Sequence, residues 1–180
     1  EYDSYADSIE SMLYLLPWFN IPECHYWVDN EIGVLFHLQL KLGLAKYYLD
    51  GNFIRTALLY AGYKTQGVLV EPWQKNVCLG AAFDQINNKL YLCLHANTFW
   101  RGILRFDQKR HYTILNLPFN YPRLNANPEW FTVDPQKNYS IIDLQTGKKT
   151  TYSGASLIQG LPVAIRGKGK YLWIRASEDK

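Results

Sequence analysis

Residues 50–67 read DGNFIRTALLYAGYKTQG, and they divide the chain into two halves of different character. Asp50 and Asn52 are both good N-cap residues, with Gly51 between them where a turn needs it. Phe53, Ala57, Leu58, Tyr60 and Ala61 then recur at helical spacing, and Gly67 follows the last polar residues as a stop. Before this stretch the apolar residues recur with the period of a helix. From Val77 onward the period is two.

Upstream, WVDNEIGVLFHLQLKL predicts a second helix over about Trp27–Leu42, stopped by Gly43. Its apolar positions, among them Val28, Ile32, Leu35, Phe36 and Leu38, cover more than one side, as in a helix packed on two faces. Pro17 and Pro22 bracket a loop before it. Residues 4–16 form the first helix, with Ser4 as cap and Ala6, Ile9, Leu13 and Leu16 along one stripe. Three helices cannot bury that much apolar surface among themselves, and an exposed patch of that kind marks a missing partner. The chain also opens on Glu1 without a Met, so it reads as part of a longer protein whose N-terminal portion is its partner.

Downstream, VCLGAAFD and KLYLCLHA alternate across a turn at Asn87-Asn88, which predicts a hairpin, with RGILRFD continuing the meander. Prolines 118, 122, 128 and 135 break up the next passage. NYSIID and KTTYS read as a second hairpin turned at LQTGK, and PVAIRG and KYLWIR as a last hairpin across GKG. The reading is therefore α+β, with a helical segment over 1–75 and an antiparallel β-sandwich over 76–180.

Bulk properties exclude several classes. With 48% apolar and 19% charged residues the chain is globular, not disordered. The net charge of +3 comes from scattered basic residues, which leave no nucleic-acid footprint. No apolar run approaches the roughly 20 residues of a membrane span. Cys24, Cys78 and Cys93 are odd in number and lack CxxC spacing, which argues against a metal site or a disulfide framework and for buried thiols at Cys78 and Cys93. There is no GxSxG, P-loop, GxGxxG or HExxH, so no cofactor or metal is expected. Localisation stays open, since periplasmic, secreted and cytoplasmic placements all agree with the sequence.

The chemistry-bearing candidates are carboxylates and aromatics. Asp29, Glu31 and Asp50 could each supply half of an acid/base pair of the kind that flanks a glycosidic bond. Asp7 and Glu10 share a helix face, where first-turn acids suit the helix dipole. His25, in an aromatic loop, is the histidine best placed for a solvent-facing role, while His37 sits in an apolar helix. Arg55 is expected to reach Asp29 or Glu31 across the helix interface. Trp18, Trp27, Trp100 and Trp130 occupy loops or loop edges where rings suit stacking on sugar faces.

The order YADSIESMLYLL, WVDNEI, DGNFIRTALLYAGYKTQG, EPW and NYPRLNANPEWFTVD resembles the C-terminal end of large bacterial proteins with a six-hairpin glycosidase-like (α/α) toroid followed by a β-sandwich. The resemblance covers most of the chain and rests on Asp7, Glu10, Asp29, Glu31, Asp50, Asn52 and Arg55. It implies carbohydrate work by a glycoside hydrolase or polysaccharide lyase, with a polysaccharide or oligosaccharide as partner. Only three of about a dozen toroid helices are present, so the chain alone is expected to be inactive. The alternative is a carbohydrate-binding or structural β-sandwich module with docking helices.

Overall fold

The computed structural model describes residues 2–19, 21–42, 51–117, 127–167 and 170–179. Three helices come first: α1 (Tyr2–Leu15), α2 (Pro22–Leu42) and α3 (Gly51–Thr65). The second starts at Pro22 instead of Trp27. A proline is tolerated in the first turn because its missing N–H has no intrahelical partner there, and Glu23 suits the dipole of that turn. His25 and Trp27 therefore lie within a helix and not in a loop. Asn52 lies inside α3, which excludes it as the N-cap; Asp50 falls outside the described residues. Ala6, Ile9 and Leu13 of α1, Val28, Ile32 and Leu35 of α2, and Phe53 and Leu59 of α3 are all buried.

The chain divides into two compact units, with the change at Tyr63 and Lys64. A three-residue strand, β1 (Leu69–Glu71), lies before the expected boundary between 75 and 76. So short a strand carries too few residues to show a period.

The second unit continues with β2 (Val77–Asp84), β3 (Lys89–Ala96), β4 (Trp100–Arg105), the single-turn α4 (Arg110–Thr113), β5 (Asn138–Asp143), β6 (Lys149–Ser153), the short α5 (Gly154–Gln159), β7 (Leu161–Ile165) and β8 (Lys170–Glu178). The predicted β2–β3 hairpin forms in register from Val77 opposite Ala96 to Asp84 opposite Lys89. Asn88 closes its turn at φ 50°, a left-handed conformation that asparagine tolerates. The β5–β6 hairpin forms as well.

Two of the expected pairings do not form. The strand β4 leaves the meander and joins β1 and β7 in a three-stranded sheet. The strands β7 and β8 are consecutive but make no hairpin; β7 pairs with β4, whereas β8 lies between β3 and β5 in a five-stranded sheet ordered β2-β3-β8-β5-β6. A period of two tells which face of a strand is buried; it does not tell which strand lies beside it. The helix α5, capped by Ser153 Oγ accepting from the Ser156 N–H at 3.2 Å, separates β6 from β7. The described residues thus give an α+β fold with two antiparallel sheets.

One hydrophobic cluster draws on both sheets, with Leu90, Leu92, Leu94, Tyr139 and Ile141 from the larger and Trp100, Leu104, Leu161 and Ile165 from the smaller. Gly102 lets the Trp100 ring and the β1 backbone approach closely. A Cβ there would lie 2.2 Å from the Glu71 carbonyl oxygen and 2.5 Å from the Trp100 ring.

Candidate functional site

The sequence-predicted residues of the helical unit converge on one another, in pairings other than those expected. Arg55 does not reach Asp29 or Glu31. Its guanidinium turns to α1, with Nε 2.7 Å from the Glu10 carboxylate and Nη2 3.6 Å from Asp7 Oδ1. The reason is positional: Thr56, the next residue, donates to the Ala6 carbonyl at 3.3 Å, so this part of α3 lies along α1. Asp29 and Glu31 are engaged by tyrosines instead. Tyr60 donates to Asp29 Oδ1 at 2.8 Å, and the Tyr5 hydroxyl donates to Glu31. His25 Nδ1 lies 2.6 Å from the Tyr63 hydroxyl, with the two rings stacked at a centroid distance of 5.6 Å.

These contacts determine what the groups can do. Burial, then the hydrogen bond to Glu31, pushes the Tyr5 hydroxyl up to about 12. Burial and the neighbouring Glu10 do the same for Tyr14, and burial with Asp29 for Tyr63, each to about 12. Tyr60 is raised by burial and by its bond to Asp29. All four stay protonated at neutral pH, so they serve as hydrogen-bond donors and not as bases. Asp29 and Glu31 accept from them. The cluster is a set of cross-links joining α1 to α2, α1 to α3 and α2 to α3.

The aromatic candidates separate by exposure. Trp100 is 1% exposed, and its Nε1–H donates to the Pro72 carbonyl at 3.1 Å, so no ring face is open to a sugar. Trp27 and Trp130 are half-buried. Trp18 is exposed, as are Trp73 and Trp173, which the sequence reading passed over. Cys78 is exposed and Cys93 half-buried, which corrects the expectation of two buried thiols; both are free. Cys78 on β2 and Cys93 on β3 both lie on the face opposite the core, where the alternation places them. The pair most deeply buried in the second unit, Glu129 and His111, is held by the His111 backbone N–H donating to Glu129 Oε1 at 2.7 Å. Among the described residues no three His, Cys, Asp or Glu side chains are grouped to hold a metal ion, and no helix is long and apolar enough to cross a membrane.

A second feature lies on the outer face of the three-stranded sheet. An open depression of about 350 Å³ is lined by Phe99, Arg101, Pro162, Val163, Ala164 and Arg166. The third arginine of this sheet, Arg105, is held by both oxygens of Glu71, at 3.1 and 2.7 Å. Arg101 and Arg166 are exposed, and among the described residues neither has a carboxylate within ion-pair distance. The signal for them in the sequence was the alternation WRGILR, which puts Arg101 and Arg105 on the face opposite Trp100 and Leu104.

Comparison with family models, with curated proteins and with solved structures finds no match to this chain.

Proposed function

We propose that this chain is the C-terminal part of a carbohydrate-active protein, of glycoside hydrolase or polysaccharide lyase type. In this reading its helices are the last of an α/α toroid and its two sheets form a β-sandwich. One observation carries the proposal: α2 and α3 bear exposed apolar side chains outside their buried stripes. Beneath the buried stripes, Glu10 is 2% exposed and bound to Arg55, whereas Leu58 on α3 is 65% exposed, with Ile54 one turn away at 51%. Val34 and Phe36 on α2 and Leu15 on α1 are exposed too. Surface of this kind is what further hairpins of a toroid cover. The shared core cluster of the two sheets supports the sandwich part of the reading.

Because Asp29, Glu31 and Arg55 are occupied as cross-links, the proposal places the chemistry on upstream helices and gives these residues a positioning role. His25 beside Tyr63 is one more polar pair joining α2 to α3. The test is an assay of the intact parent on acidic and neutral polysaccharides. New reducing ends without ultraviolet absorbance identify a hydrolase, and an absorbing unsaturated product identifies a lyase. A parent that turns over no glycan sinks the proposal.

The second reading, a carbohydrate-binding module, draws on the open rings of Phe99 and Trp73, exposed to 64% and 72%. Affinity electrophoresis of the chain through polysaccharide-containing gels tests it, and unretarded migration in every gel removes it.

A further inference from the structure

The geometry points to the depression on the three-stranded sheet as a binding subsite for a sugar that carries a carboxylate, a uronate-type pyranose. The inference rests on the carbohydrate reading and specifies its ligand. Arg101 stands opposite Ala164, and Pro162, Val163 and Ala164 of β7 give the depression an apolar floor. Arg166 follows the end of β7 and lines the same depression as Ala164. Phe99 precedes Trp100 and Arg166 follows Ile165, and Trp100 and Ile165 are register partners. The open Phe99 ring and the Arg166 guanidinium thus stand at the same end of the β4–β7 pair.

Arg101 on β4 and Arg166 just past β7 both line the depression, and like charges gathered at one site repel one another. The fold pairs Arg55 with Glu10, Arg105 with Glu71 and Arg110 with Asp107, while Arg175, like the two arginines of the depression, has no ion pair among the described residues. In the depression it supplies no acid from the described residues. A bound anion shared by Arg101 and Arg166 removes the repulsion. A planar carboxylate matches the guanidinium fork with two parallel hydrogen bonds. The exposed Phe99 ring offers a flat apolar surface to the C–H face of the pyranose that bears it. The volume sits at the low end of small-ligand sites, roughly 300 to 1,000 Å³, which suits one or two sugar rings.

Titration calorimetry on the whole chain tests this with three probes: an oligomer of glucuronic acid, the matching oligomer of glucose, and inorganic phosphate. The acidic oligomer is expected to bind, more weakly as salt rises. Arg101→Ala and Arg166→Ala should each weaken it by about tenfold, and Phe99→Ala by about fivefold. All three side chains are exposed, so the melting temperature should not fall. A glucose oligomer bound as tightly as the acidic one, with the arginine variants unaffected, overturns the acidic subsite while leaving the carbohydrate reading in place. Acidic-oligomer binding that survives the Arg101→Ala, Arg166→Ala double variant overturns the location. Phosphate binding that depends on both arginines, without any oligomer binding, overturns the sugar class. Glycan turnover by the parent is read independently, so a failure there is distinct from a failure here.

Discussion

Where α1, α2 and α3 meet, many of the side chains that cross from helix to helix are polar: Arg55 to Glu10, Tyr60 to Asp29, Tyr5 to Glu31, Thr56 to Ala6. In the strand-bearing unit the residues that meet between the sheets are apolar, centred on Trp100, Leu92, Leu104 and Ile165. The polar links are directional and each depends on one partner. The apolar cluster is non-directional and its strength grows with the area removed from water. One chain therefore contains two ways of specifying a packing, and they should fail differently.

The largest expected effect lies in the strand-bearing unit. Trp100→Ala should lower stability by about 3–5 kcal/mol, because it opens a cavity at a fully buried ring and takes the indole donor from the Pro72 carbonyl. Denaturant unfolding measures it. A loss below about 1 kcal/mol would mean the cluster collapses freely and is not close-packed.

Arg55→Ala should follow at about 3 kcal/mol, the low end for a broken buried pair, since the guanidinium is 33% exposed while the Glu10 side chain is 3% exposed. Adding Glu10→Gln to that variant should restore part of the loss, because the stranded buried charge is gone. If Arg55→Ala melts like the wild type, the helical links are surface bridges and the contrast between the units disappears.

Smaller effects come from pH and fall on opposite sides of neutrality. In the helical unit Tyr5, Tyr14 and Tyr63 are raised from 10.0 to about 12 and Tyr60 is raised also; in the strand-bearing unit Tyr139 is raised, chiefly by burial. Below pH 10 both folded and unfolded tyrosines hold their protons and the stabilisation is complete. Between 10 and 12 the unfolded chain releases protons that the folded one keeps, so stability falls as pH rises. Helical circular dichroism should decay in that window before strand hydrogen exchange accelerates.

The strand-bearing unit responds at low pH. Glu71 is lowered by its bond with Arg105 and Asp84 by the Asn87 side chain. For Asp143, burial opposes and hydrogen bonds from Gln145 and Thr146 outweigh it. Their contribution is present above the usual carboxylate range and is lost as pH falls through the depressed values. The first two carboxylates are open to solvent, so this is the weakest effect. Hydrogen exchange along β1, β2 and β5 reads it, and an acid response confined to the helices would reverse the comparison.

Helix against strand was legible because both periods are local. The 3.6-residue recurrence of Ala6, Ile9 and Leu13 and the alternation of Leu90, Leu92 and Leu94 each report a buried face from neighbouring residues alone. The turn at Asn88 was legible for the same reason, since the conformation it needs is a property of that residue. The short α5 escaped notice because one and a half turns carry no period, although the Ser153 cap was there to see.

By itself, then, the sequence determined the three long helices, the strands from β2 onward, both true hairpins, the buried stripes and the residues able to make ion pairs. Partners were decided only in three dimensions. Arg55 had four carboxylates within plausible reach, and the lie of α3 along α1 selected Glu10 and Asp7. Alternation sets Trp100 and Arg101 on opposite faces of β4, but that Trp100 is sealed in the shared cluster depends on β4 joining β1 and β7. Pairing between distant segments depends on which closure buries the most surface with the fewest stranded polar groups, and that is a property of the whole packing, not of any window of sequence.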